Sequence, residues 1–358
     1  MKKYLFALTA LLMVMAMLTG CMGTPVVVND CTCPTEGDPV PTEPTDPIAE
    51  GAVKTGLAVI TTAAGSTSAT AETEGAVTFD NTLVAVTVDN DGVIASCVID
   101  SIPATVSFDT AGAITSDYLE PVITKNELGA DYGMVSWGGA IAEWDAQVAA
   151  LANFAVGKTV AQLKTGAIDE TGKAPADSDL ASSATIYLGG FVSAIERAVN
   201  QATHLGAQAG DEIRLVTLNK LSSSANATAE AEGAVQLDGD VAAVTYKDGV
   251  ITSCIIDSVQ AKVAFDTTGT ITTDLTKEFP SKNELGDSYG MVAWGGAIAE
   301  WNVQAASFAA YVTGKTADEV AGIAINEATK PADGSDLASS VTISIGGFQA
   351  LIAKAFAE

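Results

Sequence analysis

The segment Trp137-Gly138-Gly139-Ala140-Ile141-Ala142-Glu143-Trp144 decides the fold, because it recurs unchanged as residues 294–301. Two further segments recur at the same spacing of 157 residues. Lys-Asn-Glu-Leu-Gly at 125–129 returns at 282–286, and Asp-Leu-Ala-Ser-Ser at 179–183 returns at 336–340. A period this long indicates a duplicated domain, since solenoid repeats are much shorter. We therefore expect two tandem homologous domains, at residues 52–205 and 206–358.

Each copy changes from strand to helix periodicity partway along. Alternate residues from Val93 to Ile99 share one face of a predicted strand, which follows a tight turn at Asp91-Gly92. Apolar residues between 141 and 154 then fall on one helical face, and residues 159–162 have the spacing of a capping box. A last helix follows near residue 191. The predicted fold class is α+β, with a mainly antiparallel sheet followed by packed helices in each domain.

The N-terminus has the layout of a lipoprotein signal peptide over residues 1–20. Lys2 and Lys3 precede an apolar run, and the run ends in Leu18-Thr-Gly-Cys21, which resembles the lipobox of bacterial lipoproteins. The resemblance implies lipidation of Cys21 and a place on the extracytoplasmic face of the cell membrane. An uncleaved spanning anchor is the alternative. Residues 21–51, rich in Pro, Thr and Glu, predict an extended tether.

Composition excludes several classes of function. The 358 residues carry 44 acidic and 17 basic side chains, a net charge of −27, which argues against a nucleic-acid partner. His204 is the only histidine and there is no Cys-x-x-Cys pair, so we expect no metal site and no catalytic Ser-His pair. Cys97 and Cys254 are expected to be buried, and His204 to be exposed. Cys31 and Cys33 could form a disulfide or stay free.

The repeated Asp-Leu-Ala-Ser-Ser segment leads into Ala-Thr185 in the first copy and Val-Thr342 in the second. Both resemble the flavinylation motif Asp-x-x-Ser-Gly-Ala-Thr of FMN-binding domains. In that family an ApbE-type flavin transferase esterifies FMN through its phosphate to the last threonine. The departures are serine for glycine in both copies and valine for alanine in the second. The matching cofactor-binding candidates are Asp179, Ser182, Ser183, Thr185, Asp336, Ser339, Ser340 and Thr342.

The helix predicted after this segment gives the motif a physical basis. A threonine at the start of a helix lies beside free backbone N–H groups, which favour a phosphate diester. Asp and Ser are also the preferred ordinary caps of a helix, so a plain helix N-terminus is the alternative.

A flavin ring also needs a surface to pack against. The Tyr-Gly-Met blocks and the following tryptophans offer aromatic and thioether groups, and the Lys-Asn-Glu blocks offer polar contacts to a ring edge. Alternatively, the tryptophans anchor the following helix to the sheet. These candidates are Tyr132, Met134, Trp137, Tyr289, Met291, Trp294, Lys125, Asn126, Glu127, Lys282, Asn283 and Glu284.

Over nearly its whole length the chain looks like the PplA-type lipoproteins of extracellular electron transfer. The resemblance implies an electron carrier with two covalent FMN groups and no substrate turnover of its own. Its electron donor would be a membrane quinol or flavoprotein dehydrogenase, and its acceptors would be extracellular, such as ferric iron or free flavin. The competing hypothesis is a tandem binding or adhesive module on a lipid-anchored stalk, with no cofactor.

Overall fold

The computed structural model describes residues 51–357. The predicted signal peptide, the lipidation site Cys21, the cysteines Cys31 and Cys33, and nearly all of the tether lie outside the described residues. The strands are β1 (Lys54–Thr62), β2 (Gly75–Val88), β3 (Ile94–Phe108), β4 (Glu212–Lys220), β5 (Gly233–Lys247) and β6 (Val250–Phe265).

The strands form two antiparallel sheets, β1-β2-β3 and β4-β5-β6, each followed by helices. The α+β class is therefore confirmed. The predicted turn before β3 is also confirmed, because Gly92 has φ +78° and Asp89 N–H donates to the Val93 carbonyl. Val93 lies just before β3, in an isolated bridge to Thr159, and β3 is one long strand that runs through Pro103. That strand tolerates a proline because it lies at the edge of its sheet.

Helices cover one face of each sheet. In the first half, the buried side of the main helix carries Trp144, Val148 and Leu151, as predicted, whereas Ile141 precedes the helix and is exposed. The predicted capping box at Thr159 is present, and Thr316 forms the equivalent box in the second half. The helices are α1 (Lys125–Leu128), α2 (Trp144–Ala155), α3 (Val160–Ala167), α4 (Gly189–Asn200), α5 (Lys282–Leu285), α6 (Met291–Gly295), α7 (Trp301–Val312), α8 (Ala317–Ala321) and α9 (Gly346–Ala357). Among residues 51–357, no helix is long and apolar enough to cross a membrane.

The other faces of the two sheets meet in one shared hydrophobic core. Buried residues of β1, β2 and β3 pack there with buried residues of β5 and β6. Phe108 and Phe265, which are equivalent in the two halves, stack with ring centroids 4.2 Å apart and an interplanar angle of 8°. The described residues therefore form one compact unit. The domain boundary at residue 205 stays a prediction.

The two halves also exchange equivalent ion pairs. Arg197 of α4 contacts Glu284 of α5 at 2.9 Å, and Lys354 of α9 pairs with Glu127 of α1. Each pair joins the last helix of one half to the Lys-Asn-Glu helix of the other. An exchange of this kind is the signature of an approximate two-fold axis between the halves.

Candidate functional site

The predicted acceptor threonines are held by glutamines that the sequence analysis did not single out. Gln147 Oε1 accepts hydrogen bonds from Thr185 N–H at 2.8 Å, from Thr185 Oγ1 at 3.3 Å and from Ile186 N–H at 3.3 Å. In the second half, Gln304 Oε1 accepts from Thr342 N–H at 2.8 Å and from its Oγ1 at 3.1 Å. The same side-chain oxygen thus fixes both the backbone and the hydroxyl of each threonine.

The glutamines are themselves rigidly placed. Gln147 is fully buried in the first turn of α2, and its Nε2 donates to the Ala142 carbonyl at 2.8 Å. Gln304 is fully buried in α7 and donates to the Ala299 carbonyl at 2.7 Å. With both ends of each amide satisfied, the side chain has one orientation available, and it positions the threonine segment accordingly.

The structure corrects the predicted place of the threonines. Thr185 does not begin the last helix, because α4 starts four residues later at Gly189. Residues 179–182 instead form a short 3₁₀ helix whose N-cap is Ser178, and Thr185 lies in the connection that follows. The threonine's own N–H is bonded to Gln147 and is not a free N–H group of a helix terminus. Thr342 is placed equivalently, before α9.

The other residues of the motif surround the threonine without contacting the glutamine. Asp179, Ser182 and Ser183 are exposed, and the Ser182 hydroxyl donates to the Asp179 carbonyl at 2.7 Å. The second copy repeats this bond at 2.7 Å. Thr185 is exposed and Thr342 is half-buried. The equivalent exposed residues are Asp336, Ser339 and Ser340.

A carboxylate at the start of the same helix holds the tryptophan loop. Glu143 is the N-cap of α2, and its Oε2 and Oε1 accept from the N–H groups of Met134 at 2.8 Å and Val135 at 3.0 Å. Glu300 does the same for Met291 and Val292, the first two residues of α6, at 2.8 and 2.9 Å. The first turns of α2 and α7 therefore bring the tryptophan segment and the threonine segment of each half together.

The tryptophans of the first-half loop and of α6 point into solvent. Trp137 and Trp294 are each 90% exposed, so they do not anchor the helix to the sheet; the buried Trp144 and Trp301 do so. The Trp137 indole lies against Gly133, where an added Cβ would be 2.3 Å from Cδ1, and φ at that glycine is +80°. Tyr132, Met134, Tyr289 and Met291 are half-buried at the edge of the helix-side cores.

The Lys-Asn-Glu blocks contact protein groups of a helix, of a strand and of the other half. Lys125 Nζ lies 5.1 Å from the centre of the Tyr132 ring and 5.0 Å from that of Trp144. Asn126 donates from its backbone to Asp100 and from its side chain to the Ile99 carbonyl. Glu127 completes the capping box of α1 and pairs with Lys354. Lys282, Asn283 and Glu284 repeat these arrangements with Tyr289, Trp301, Asp257 and Arg197. Contacts of either block with a flavin ring stay a prediction.

The two sites differ in one aromatic side chain that the sequence analysis passed over. Tyr187, two residues after Thr185, is 60% exposed and lies over Gly172, where an added Cβ would be 2.2 Å from the ring. Ser344 and Thr329 take these places in the second half, and their hydroxyls are 2.5 Å apart. An aromatic side chain therefore flanks the acceptor threonine in the first half, and a serine does so in the second.

The remaining candidate groups are two cysteines and the histidine. The pKa values of the Cys97 and Cys254 thiols are raised by burial to about 12, so both stay protonated at neutral pH. Cys254 is buried, as predicted, whereas Cys97 is only half-buried. His204 is exposed, as predicted, with its Nε2 3.0 Å from Asn90 Oδ1. Among the described residues there is no cluster of three His, Cys, Asp or Glu side chains able to hold a metal.

The residues present fit a phosphate-linked flavin. Thr185 is exposed, its segment is fixed by a buried amide, and an indole with 90% of its surface exposed lies on a loop held by the same helix. The signal that could have identified the glutamines is Glu-Trp-x-x-Gln, which occurs at 143–147 and again at 300–304. It places a polar residue on an otherwise apolar helical stripe in both copies.

Compared with protein-family models, curated proteins and solved structures, the chain has no match.

Proposed function

We propose that this protein is a lipid-anchored electron carrier with FMN esterified through its phosphate to Thr185 and Thr342. The observation that carries the proposal is the shared geometry of the two threonine segments. Each segment bears the flavinylation-like motif, and each is fixed on a fully buried glutamine. A buried amide that is hydrogen-bonded at both its oxygen and its nitrogen restricts the segment to one geometry, as expected of a site that must present one hydroxyl to a transferase.

Most of the hydrogen bonds between Gln147 and the threonine segment do not depend on the hydroxyl proton. Relative to free FMN, ester formation joins Thr185 Oγ1 to the phosphorus, breaks the Oγ1–H bond and one P–OH bond, and releases the equivalent of one water. The bond from Oγ1 to Gln147 is then lost, whereas the N–H bonds from Thr185 and Ile186 to the same oxygen remain. The segment therefore keeps its position before and after attachment.

The exposed indoles offer a surface for the ring. Bound FMN supplies reversible one- and two-electron chemistry, while the protein contributes position and environment. Trp137 and Trp294 present their faces to solvent, and aromatic pairs favour offset or edge contacts at about 4.5–7 Å. A ring on such an indole stays accessible to redox partners. The partners we propose are a membrane quinol or flavoprotein dehydrogenase as donor, and extracellular ferric iron or free flavin as acceptor.

The test is retention of flavin after denaturation. The full-length protein, co-expressed with an ApbE-type flavin transferase and denatured in acid, should keep flavin absorbance of two FMN per chain. Thr185→Ala and Thr342→Ala should each keep one FMN, and the double variant none. Thr165→Ala, at an exposed threonine of α3, is the matched control and should keep two. Flavin-free protein under these conditions would favour the adhesive-module hypothesis.

A further inference from the structure

Tyr187 has a defined position beside the proposed attachment site Thr185, although most of its surface is open to solvent. Its ring lies against two glycines. An added Cβ at Gly172 would be 2.2 Å from the ring carbon Cε2, and an added Cβ at Gly189 would be 2.5 Å from Oη. The side chain is nevertheless 60% exposed. Backbone contacts therefore place the ring, and the rest of its surface is free to contact a bound group.

The backbone turn that holds Tyr187 has the same geometry in both halves. Gly172 has φ +74°, and its carbonyl accepts from Leu188 N–H at 2.7 Å. Its equivalent in the second half, Thr329, has φ +57°, and its carbonyl accepts from Ile345 N–H at 2.8 Å. A β-branched residue rarely adopts a positive φ, so Thr329 is strained. The second half thus keeps the turn of a glycine without the glycine.

The side chains at this turn differ as a matched pair. A Cβ at Gly172 would overlap the Tyr187 ring, so a ring in this place requires glycine at the turn. In the second half Thr329 puts a Cβ at the turn, and Ser344 replaces the tyrosine, with the two hydroxyl oxygens 2.5 Å apart. The first half therefore pairs glycine with an aromatic ring, and the second half pairs threonine with serine.

The tyrosine ring lies within reach of a group attached to Thr185. The Cα atoms of residues two apart in the chain are separated by no more than about 7 Å, and both side chains are exposed. An FMN ring joined to Thr185 through its phosphate and ribityl chain reaches the phenol ring from there. An aromatic contact of this kind changes an equilibrium constant by about two- to tenfold. Ser344 offers no such contact in the second half.

We propose that Tyr187 is a second aromatic contact for the flavin at Thr185, and that the flavin at Thr342 lacks this contact. The inference rests on the proposed attachment of FMN. The exposed tryptophans do not distinguish the halves, because both are 90% exposed and both lie against a glycine. The glycine–tyrosine pair does distinguish them. The two flavins are therefore held unequally, and Tyr187 is a positioning residue of the first site alone.

Proteins that carry one flavin test the contact. The full-length Thr342→Ala protein, loaded by a flavin transferase, should keep one FMN after denaturation, at Thr185. Time-resolved flavin fluorescence of the native protein separates rings quenched by an aromatic contact, which decay fast, from free rings, which decay slowly. In this background Tyr187→Ser should raise the ratio of free to quenched rings by about two- to tenfold. Tyr187→Phe keeps the ring and should leave the ratio unchanged.

The matched control is Tyr311→Ser, at an exposed tyrosine of α7, which should also leave the ratio unchanged in the Thr342→Ala protein. The reverse exchange is made in Thr185→Ala, where flavin remains at Thr342 alone. There Ser344→Tyr combined with Thr329→Gly should lower the ratio of free to quenched rings by about two- to tenfold. Ser344→Tyr alone should have a smaller effect, because the Thr329 Cβ takes the place of the ring.

The outcomes separate this inference from the proposed function. If neither single-flavin protein keeps flavin after denaturation, covalent attachment is wrong and the inference falls with it. If flavin is attached, an unchanged ratio in Tyr187→Ser overturns the inference alone. A rise in Tyr187→Phe as large as that in Tyr187→Ser also overturns it, because the aromatic ring would then not be the contact.

Discussion

Thr185 N–H donates a hydrogen bond to the buried Gln147 Oε1 across 2.8 Å, and Thr342 N–H makes the same bond to Gln304. The bond joins segments 38 residues apart in each half. It converts an exposed loop residue into one whose backbone position is set by a core helix. In this account, that fixed position is what makes the threonine a defined attachment point.

The glutamine should therefore matter for both stability and attachment. Gln147→Leu leaves the N–H groups of Thr185 and Ile186 without their acceptor, so the free energy of unfolding should fall by about 1–3 kcal/mol. Urea denaturation measures this change. Flavin loading at Thr185 should fall while loading at Thr342 persists, and Gln304→Leu should give the reverse. Equal loss at both threonines in either variant would contradict the local role of the glutamine.

The two kinds of tryptophan should behave oppositely. Trp137→Ala removes a side chain that is 90% exposed, so stability should change by no more than about 0.5 kcal/mol. Trp144→Ala removes a buried ring that contacts Phe191 and Lys125, at a cost of about 3–5 kcal/mol. Thermal unfolding of the two variants checks the contrast. If Trp137→Ala also restores flavin fluorescence in the loaded protein, the indole lies against the ring; unchanged fluorescence places the ring elsewhere.

The shared core predicts a single cooperative unit. Phe108→Ala removes one ring of the Phe108–Phe265 stack, so it should destabilise both halves together by about 3–5 kcal/mol. Hydrogen exchange, followed by mass spectrometry across residues 51–357, reports on each half separately. Faster exchange confined to residues 52–205 would show that the halves unfold independently.

Buried carboxyl groups should make stability depend on pH. Burial, partly offset by hydrogen bonds from Thr124 and Ser281, raises the pKa values of Asp100 and Asp257 to about 6. In the unfolded chain an aspartate has a pKa of about 3.9, so the folded state binds more protons between these values. Their contribution to stability is therefore complete below about pH 4 and is lost as pH rises through about 6.

Asp257→Asn isolates this effect. The substitution removes one of the two buried carboxyl groups. The free energy of unfolding should therefore fall less between about pH 4 and pH 7 than it does in the parent protein. The difference should be about 3 kcal/mol, because burial raises the pKa of Asp257 by roughly two units. Denaturant titrations at the two pH values give the difference. Asp274→Asn is the control, because hydrogen bonds from Thr276 lower the pKa of that exposed aspartate to about 2. If Asp257→Asn kept the pH dependence of the parent protein, the buried carboxyl group would not be the cause of that dependence.

Local patterns in the sequence predict much of each half. The turn at Gly92, the capping boxes at Thr159 and Thr316, and the apolar face of α2 follow from residues close together in the chain. The packing of the two sheets does not, because Phe108 meets Phe265 only through the arrangement of the whole unit. The same limit applies to the site. The motif marks Thr185 and the repeated Glu-Trp-x-x-Gln marks Gln147, but neither pattern predicts that the two residues meet, because they lie 38 residues apart on different elements.

The most direct test of the account is the intact mass of the full-length protein after co-expression with a flavin transferase. The account predicts a mass above that of the flavin-free protein by two FMN less two waters. Thr185→Ala and Thr342→Ala should each lose one increment, and fragmentation should place the remaining one on the other threonine. A mass equal to that of the flavin-free protein, or increments that persist when both threonines are replaced, would contradict it.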